Sequence, residues 1–262
     1  MLRWENGQLV PASDDLAAEE PLEIRIDNHS ISVTMRTPGN DEELAVGFLV
    51  SEGLIKSKQE VQKIEPHPRN AAKNVINVFL SPEVTVNFQQ LTRHVFMSSS
   101  CGLCGKASIE SVHQHFPPVS RRLNPISAGL ISALPAKLRA VQETFSLTGG
   151  LHGAAIFDEK GNLLAAREDI GRHNAVDKII GWGLLSGTLP FEQHVLLVSG
   201  RASFEIMQKA LSARISVVCA VSAPSSLAVE FARESGQTLV AFLRDDRMNV
   251  YSHPEAIKFD EV

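Results

Sequence analysis

The run Val195-Leu-Leu-Val-Ser-Gly-Arg-Ala-Ser-Phe-Glu-Ile-Met-Gln-Lys-Ala-Leu-Ser-Ala-Arg-Ile-Ser-Val-Val-Cys-Ala-Val221 decides the fold. Its ends, Val195 to Ser199 and Ile215 to Val221, are short, continuously apolar and rich in β-branched residues, as strands buried on both faces are. Between them, Ser203 to Ala213 carries apolar residues at helical spacing behind a serine suited to start a helix. Parallel strands need a crossover of this kind, so strand, helix, strand in one short stretch predicts a covered, parallel sheet. Cys219, inside the second run, reads as a small apolar core residue.

Working outward, the same alternation extends in both directions. Toward the end come a helix at Ser225 to Ser235 and a strand at Thr238 to Leu243. Before the run, Ala154 to Asp158 and Leu163 to Arg167 form a hairpin through Glu159-Lys160-Gly161-Asn162, and a helix follows at His173 to Leu185. A further helix spans Ser127 to Phe145, interrupted near Pro135. Residues 127–262 are therefore expected to form an α/β domain whose sheet is mostly parallel.

Residues 1–95 are expected to form a smaller, β-rich α+β domain. Leu22 to Asp27 and Ser30 to Arg36 read as strands joined at Asn28-His29, with more strands at Val61 to Pro66 and Asn74 to Leu80. Asn40 starts a helix with Asp41, Glu42 and Glu43 in its first turn, and Leu44, Phe48 and Leu49 supply its apolar stripe up to Gly53. Residues 96–126 connect the two parts through a Cys-x-x-Cys segment, a helix from Lys106 to Phe116 and a Pro117-Pro118 break.

A hydrophobic content of 44% with mixed charge fits an ordinary globular chain. A net charge of −5 argues against a protein that coats nucleic acid or an anionic membrane, so any anion site must be local. The first ten residues mix Arg3, Glu5 and Asn6 among apolar ones and lack the apolar core of a signal peptide, and no apolar run is long enough to span a bilayer. A cytoplasmic protein is expected.

Three cysteines are too few for a disulfide scaffold. Cys101 and Cys104 lie in Ser98-Ser-Ser-Cys-Gly-Leu-Cys-Gly-Lys106, where glycines and serines predict an exposed, mobile loop. Only a thiolate is nucleophilic, and Gly105-Lys106 at a helix start would lower the Cys104 pKa through the dipole and a nearby cation. The pair could form a disulfide, hold zinc or carry a persulfide. His113 and His115 would have to complete a zinc site, but two positions apart on a helix they face different ways, so no metal site is expected.

Four polar, glycine-bearing segments flank the predicted strands: Thr148-Gly-Gly-Leu-His-Gly153, Glu168-Asp-Ile-Gly-Arg-His-Asn-Ala-Val-Asp-Lys178, Ser199-Gly-Arg-Ala-Ser203 and Val221-Ser-Ala-Pro-Ser-Ser226. Ligands of open α/β sheets bind at strand ends, where helix N-termini offer free N–H groups and arginines can grip phosphates in pairs of bonds. His152, Arg172, His173, Asn174, Ser199, Arg201 and Ser222 are the candidates for a phosphate-rich ligand. The plainer reading is turns and caps, with Asp169, His173 and Asn174 satisfying one another. Neither a P-loop nor a Rossmann fingerprint is present. In Phe242-Leu-Arg-Asp-Asp-Arg247, the arginines suit a phosphate or a guanine edge, and Asp245 and Asp246 suit a base amino group or a turn.

In order along nearly the whole chain, these segments, with Asp41-Glu-Glu-Leu-Ala-Val-Gly-Phe-Leu-Val-Ser-Glu-Gly53, resemble the FdhD/NarQ family of formate dehydrogenase accessory sulfurtransferases. The resemblance implies a cytidine-deaminase-like domain with a mixed sheet after a small first domain, and a homodimer. It implies that sulfur is taken from a cysteine desulfurase and passed to the molybdenum bis(molybdopterin guanine dinucleotide) cofactor before that enters the formate dehydrogenase apoenzyme. By the same resemblance Cys101 holds the persulfide, Cys104 assists, and Phe242, Leu243, Arg244, Asp245, Asp246 and Arg247 lie against the guanine dinucleotide, which GDP could mimic. Gly153 stands where the family pattern leads one to expect alanine. The deaminase reaction is not expected, because the His-x-Glu and following Pro-Cys-x-x-Cys of zinc deaminases are missing. The alternative is a chaperone that shelters the cofactor without passing sulfur, its cysteine pair structural or metal-holding.

Overall fold

The computed structural model describes residues 1–66, 74–86, 88, 105–120 and 124–259, with the backbone alone at 105–108 and 111. A hairpin of β1 (Leu2–Glu5) and β2 (Gln8–Pro11) comes first. Next come β3 (Glu20–Ile26), β4 (His29–Arg36), β5 (Val61–Pro66) and β6 (Val75–Leu80), forming a sheet in the order β4-β3-β6-β5. Asp27 and Asn28, both at positive φ, make the tight β3–β4 turn, one residue earlier than expected.

The larger sheet contains β8 (His152–Phe157), β9 (Leu163–Asp169), β10 (Val195–Val198), β11 (Val217–Ala220), β12 (Thr238–Arg244) and β13 (Arg247–Ser252), ordered β13-β12-β11-β10-β8-β9. The quoted run forms the expected crossover: β10 and β11 are parallel, joined by a helix at Phe204–Ser212, and β11 and β12 repeat the arrangement. The expectation of a mostly parallel sheet is corrected, because β8 pairs antiparallel with both β9 and β10, and β13 folds back on β12. Hairpin connections at both margins confine parallel pairing to the middle. A short parallel pair, β7 (Ile126–Ser127) with β14 (Ile257–Lys258), lies outside this sheet.

Seven helices are used below: α1 (Asp41–Ser51), α2 (Gly105–His115), α3 (Ala128–Ala140), α4 (Glu143–Thr148), α5 (Arg172–Ser186), α6 (Phe204–Ser212) and α7 (Ser226–Glu234). Alternation along the strands assigns the sheet's faces. Leu196, Val198, Val218 and Ala220 join the core with α5, α6 and α7, while Val195, Leu197, Val217 and Cys219 pack with Ile131, Leu134 and Leu138 of α3. That apolar stripe carries α3 straight through Pro135, so the expected interruption falls instead at Val141 and Gln142, before α4. No helix among the described residues is long and apolar enough to cross a membrane.

The first helix differs most from its sequence reading. Asn40 sits in the left-handed region and makes no side-chain cap, although its carbonyl accepts from Leu44 N at 2.9 Å. Leu44 through Gly47 and Leu49 through Ser51 are all buried, so α1 is an internal helix rather than one with a single apolar stripe. It is pressed against α5: a Cβ on Gly47 would lie 1.8 Å from Asp177 O, and one on Gly181 would lie 1.8 Å from Glu43 O. Next to this crossing Lys209 Nζ donates to both oxygens of Asp177 at 2.9 Å, and Ser51 Oγ donates to Asp177 Oδ1 at 2.8 Å. Gly181→Ala or Gly47→Ala should force backbone against backbone and lower the thermal midpoint by at least about 6 °C, the effect of some 3 kcal/mol of overpacking in a chain of this size. An unchanged midpoint in calorimetry would mean that the helices cross farther apart.

Candidate functional site at the strand ends

Three parallel strands finish at one edge of the large sheet, where β8 also begins and β9 ends, because both run antiparallel to their neighbours. His152 pairs with Asp169 in register, and Ser199, just beyond β10, is tied to Gly153 in both directions. Ser199 N donates to Gly153 O and Gly153 N donates to Ser199 Oγ, each at 2.9 Å. The segments after β10 and β11 are joined through Ala202 N to Ala223 O at 3.2 Å and Ser225 N to Ala202 O at 2.9 Å. Phe242 N donates to Ser222 O at 3.1 Å. All four polar segments, together with Phe242 to Arg247, thus share this edge, as strand-end binding requires.

Three helices begin there. Ser225 caps α7 by accepting from Ala228 N at 3.2 Å. Gly171 and Ser203, which precede α5 and α6, give no side-chain cap. The Ser203 hydroxyl instead faces His173 Nε2 at 3.3 Å, and Glu205 Oε2 lies 4.0 Å from the same nitrogen. Gly200 lies between two candidates: a Cβ there would meet His152 Nδ1 at 3.3 Å and Arg172 Cδ at 3.6 Å. Arg172 Nε is buried and has no hydrogen-bond partner among the described residues, a costly state for a charged group in the absence of an acceptor.

Burial holds both histidines neutral, helped by the arginines. Desolvation, then Arg172 and Arg201, lower the His152 pKa. Desolvation, then Arg172 and Lys209, bring His173 down to about 4 against the opposing pull of Glu205. The positive charge at this edge therefore comes from arginine, and the imidazoles are left as hydrogen-bonding groups.

The segment from Glu168 to Lys178 divides by direction. Positions 174, 177, 178 and 181 share one helical face, and that face turns inward. Asn174 donates to Met35 O and Asp169 Oδ1 and accepts from Thr34 Oγ1, and Lys178 Nζ reaches Asp169 Oδ2 at 2.8 Å, Thr37 O at 3.0 Å and Glu168 O at 3.2 Å. The Asn174 side chain is thus engaged internally with Asp169, while His173 faces Ser203. Glu168 accepts from Thr144 N and Phe145 N at the start of α4. Only Arg172 and His173 face the strand ends with His152 and Arg201.

Of the Phe242 to Arg247 candidates, Phe242, Arg244, Asp245, Asp246 and Arg247 are exposed, whereas Leu243 is buried in the core under α3. Phe242 stands at φ 51 and Asp245 at φ 50, beside a register irregularity between Ala241 and Arg244. Ser222 is half-buried. Cys101 and Cys104 lie outside the described residues; Gly105, next after Cys104, begins α2. Burial pushes the Cys219 thiol up to about 12, as expected of an inert core cysteine. Sequence reasoning missed Glu205, whose only signal is an acid in the first turn of α6, and Gly200 as the spacer that lets His152 approach Arg172. Gly153 has a local reason: a Cβ there would lie 2.6 Å from the buried Gln142 Nε2.

The His173 assignment fixes a pH dependence. Because its pKa is lower folded than unfolded, the neutral ring favours the fold fully above the ordinary value near 6.5, and that stability is lost as pH falls from about 6.5 toward about 4. Stability measured by urea unfolding should decline over that window, and less so in His173→Gln. An NMR titration placing His173 near 6.5 would contradict this environment.

Comparisons with known proteins agree with one another. A model of the FdhD/NarQ family matches residues 17–258. The "Sulfur carrier protein FdhD" of Streptomyces avermitilis is 50% identical, covering 96% of this chain and 92% of its own. Its namesake from Mycobacterium tuberculosis is 49% identical, covering 95% and 94%, and that from the archaeon Picrophilus torridus 45%, covering 94% and 92%. A crystal structure from Desulfotalea psychrophila, described as a formate dehydrogenase accessory protein, superimposes with a TM-score of 0.77 at 25% identity over 98% of this chain and 97% of that one.

Proposed function

This chain belongs to the FdhD/NarQ family, and from that we infer that it is a sulfur carrier for formate dehydrogenase maturation. The observation that carries the reading is near-full-length similarity, at about half identity, to proteins named for sulfur carriage, in a chain whose only cysteines besides the buried Cys219 are Cys101 and Cys104. A cytoplasmic cysteine desulfurase is the proposed donor, and the molybdenum bis(molybdopterin guanine dinucleotide) cofactor is the substrate that receives sulfur before it enters the apoenzyme. Residues 127–262 are read as a cytidine-deaminase-like domain, which the mixed sheet with helices on both faces suits. The chain is proposed to act as a homodimer.

Electron counting gives the cysteines their roles. The Cys101 thiolate accepts a sulfane sulfur as a persulfide, and delivery of that sulfur as sulfide requires two electrons. Attack by the Cys104 thiolate on Sγ of Cys101 supplies them: the sulfur–sulfur bond of the persulfide breaks, hydrosulfide leaves toward molybdenum, and a Cys101–Cys104 disulfide remains for a thiol reductant. Because Gly105 begins a helix, its dipole would favour the thiolate at Cys104.

The strand-end edge suits the cofactor's guanine dinucleotide. Arg172, with its unsatisfied Nε, and Arg201 lie where the uncapped starts of α5 and α6 converge, an arrangement matched to phosphate oxygens. Arg244 and Arg247 add exposed charge, the Phe242 ring offers a stacking surface, and Asp245 or Asp246 can accept from guanine N–H groups. His152, His173, Ser199 and Ser222 supply neutral hydrogen-bonding groups around it. The Asn174 amide would act from beneath by fixing the turn that carries Arg172.

Incubation of the full chain with a cysteine desulfurase and cysteine should add one reductant-labile sulfur atom to the peptide containing Cys101 and Cys104. Cys101→Ala should abolish both that gain and formate dehydrogenase maturation, and maturation by Cys101→Ala at the wild-type level would leave only a chaperone. Arg172→Ala and Phe242→Gly should each weaken GDP binding at least tenfold by calorimetry without reducing sulfur loading. Phe242→Gly should hold or raise the thermal midpoint, because glycine tolerates that backbone conformation. Undiminished GDP affinity in both variants would remove this edge as the nucleotide site.

A further inference from the structure

Residues 1–16 precede the part of the chain matched by the family model, and the β1–β2 hairpin within them is closed on itself. Asn6 and Gly7, at φ 50 and 81, make its turn, and Met1 and Ala12 exchange bonds of 2.9 and 3.0 Å at its open end. Leu2 pairs with Pro11 and Trp4 with Leu9, which puts four apolar side chains on one face; Arg3, Val10, Glu5 and Gln8 occupy the other. Leu2, Trp4 and Leu9 are 66%, 69% and 61% exposed. A solitary two-stranded hairpin is marginal in water, and an apolar face of this kind marks a contact surface.

We propose that this hairpin is a contact between two copies of the chain, with β1 of each pairing antiparallel about a twofold axis at Trp4. Backbone direction chooses the edge. Met1, Arg3 and Glu5 point their N–H and C=O groups at β2, so those of Leu2 and Trp4 face outward from β1. The outer edge of β2 carries Pro11, which has no N–H to give, so β1 is the edge that can be extended.

Charge chooses the register. A twofold axis at Trp4 sets Arg3 of each copy opposite Glu5 of the other and Leu2 opposite Asn6. An axis one residue earlier sets Arg3 against Arg3, and one residue later sets Glu5 against Glu5, both unfavourable for directly opposed pairs. At Trp4 the two strands exchange backbone bonds, the indoles become cross-strand neighbours, and two marginal hairpins become one four-stranded sheet. The contact is isologous, as a twofold interface must be. Because the hairpin precedes the part of the chain matched by the family model, this contact is separate from the homodimer inferred from the family, and it is independent of the sulfur chemistry. Small interfaces of this size bind weakly, so self-association is expected in the micromolar range.

Sedimentation velocity of the untagged full chain from about 1 to 100 µM tests the contact. Trp4→Asp and Arg3→Glu should each raise the dissociation constant at least tenfold, about 1.4 kcal/mol. The exchange Arg3→Glu with Glu5→Arg should restore it to within about threefold of the original, an outcome that lost folding or general stickiness would not give. Dimerisation indifferent to all three variants would overturn the hairpin contact and leave the homodimer standing. A monomer at every concentration would remove both. A monomer that instead sediments with anionic phospholipid vesicles, and ceases to in Trp4→Asp, would assign the apolar face to a lipid surface and overturn the contact.

Discussion

Backbone contact between α1 and α5 is the constraint on which the rest of the molecule depends. Gly47 and Gly181 remove a side chain from each helix at the crossing, each facing the other's main chain, so neither can carry a methyl group. This closeness lets a helix from the early, β-rich part of the chain merge into the core of the later part, from Leu44 and Leu49 to Ile179 and Ile180. It also closes the space around Asp177 until Ser51 and Lys209 are its natural partners. Burial pushes the Asp177 carboxyl's pKa up, and the Lys209 ammonium with the Ser51 hydroxyl pulls the other way. Breaking such a triad on one side leaves a buried charge uncompensated, so the crossing and the triad stand or fall together.

The crossing also sets what α5 presents at its other end. With Gly181 fixed against α1, helical geometry turns positions 174, 177 and 178 to the same side, where Asn174 and Lys178 clasp the strand β4 and the segment after it. Arg172 and His173, a quarter turn or more away, are left to the strand ends. Two buried acids of this region, Asp169 and Asp177, are taken up by Lys178 and Lys209, which leaves Glu205 as the carboxylate beside His173. A chain of net charge −5 thereby keeps a local arginine-rich edge whose histidines add no charge of their own at neutral pH.

What sequence could disclose follows from how local each signal is. The β10–α6–β11 crossover, the β8–β9 hairpin and the exchange of direction at Asp27-Asn28 depend on near neighbours and were legible within a residue or two. The Asn6-Gly7 pair between alternating apolar residues is an equally local sign of a hairpin, one that the absence of a signal-peptide core in the same stretch does not reveal. The burial of α1 on nearly all sides was not legible, since it depends on a glycine 134 positions away in sequence, Gly181 opposite Gly47. Likewise the segment from Glu168 to Lys178 looked like one ligand-binding unit. Only the orientation of α5 divides it into residues that hold the fold and two that face the site. The need for glycine at 153 is set from closer by, through the Gln142 amide packed against it, but it too depends on packing that no local pattern discloses.

The conformation of Phe242 shows the fold bearing strain at the place where the proposed nucleotide site would use a ring. A bulky residue at positive φ is disfavoured by about 1 kcal/mol or more, and glycine would avoid that penalty. The pairing of β12 with β13 slips between Ala241 and Arg244, so Phe242 N leaves the ladder and is satisfied by Ser222 O from the neighbouring strand's loop. That bond is what the strained backbone gains locally, and it aligns the loop after β11 with the end of β12. The side chain gains nothing by it in the isolated chain, because the ring is 43% exposed while Ala241 and Leu243 on either side are fully buried. A strained position with an exposed aromatic ring, held in register by its buried neighbours, is poorly explained by stability and well explained by a flat ligand such as a guanine base.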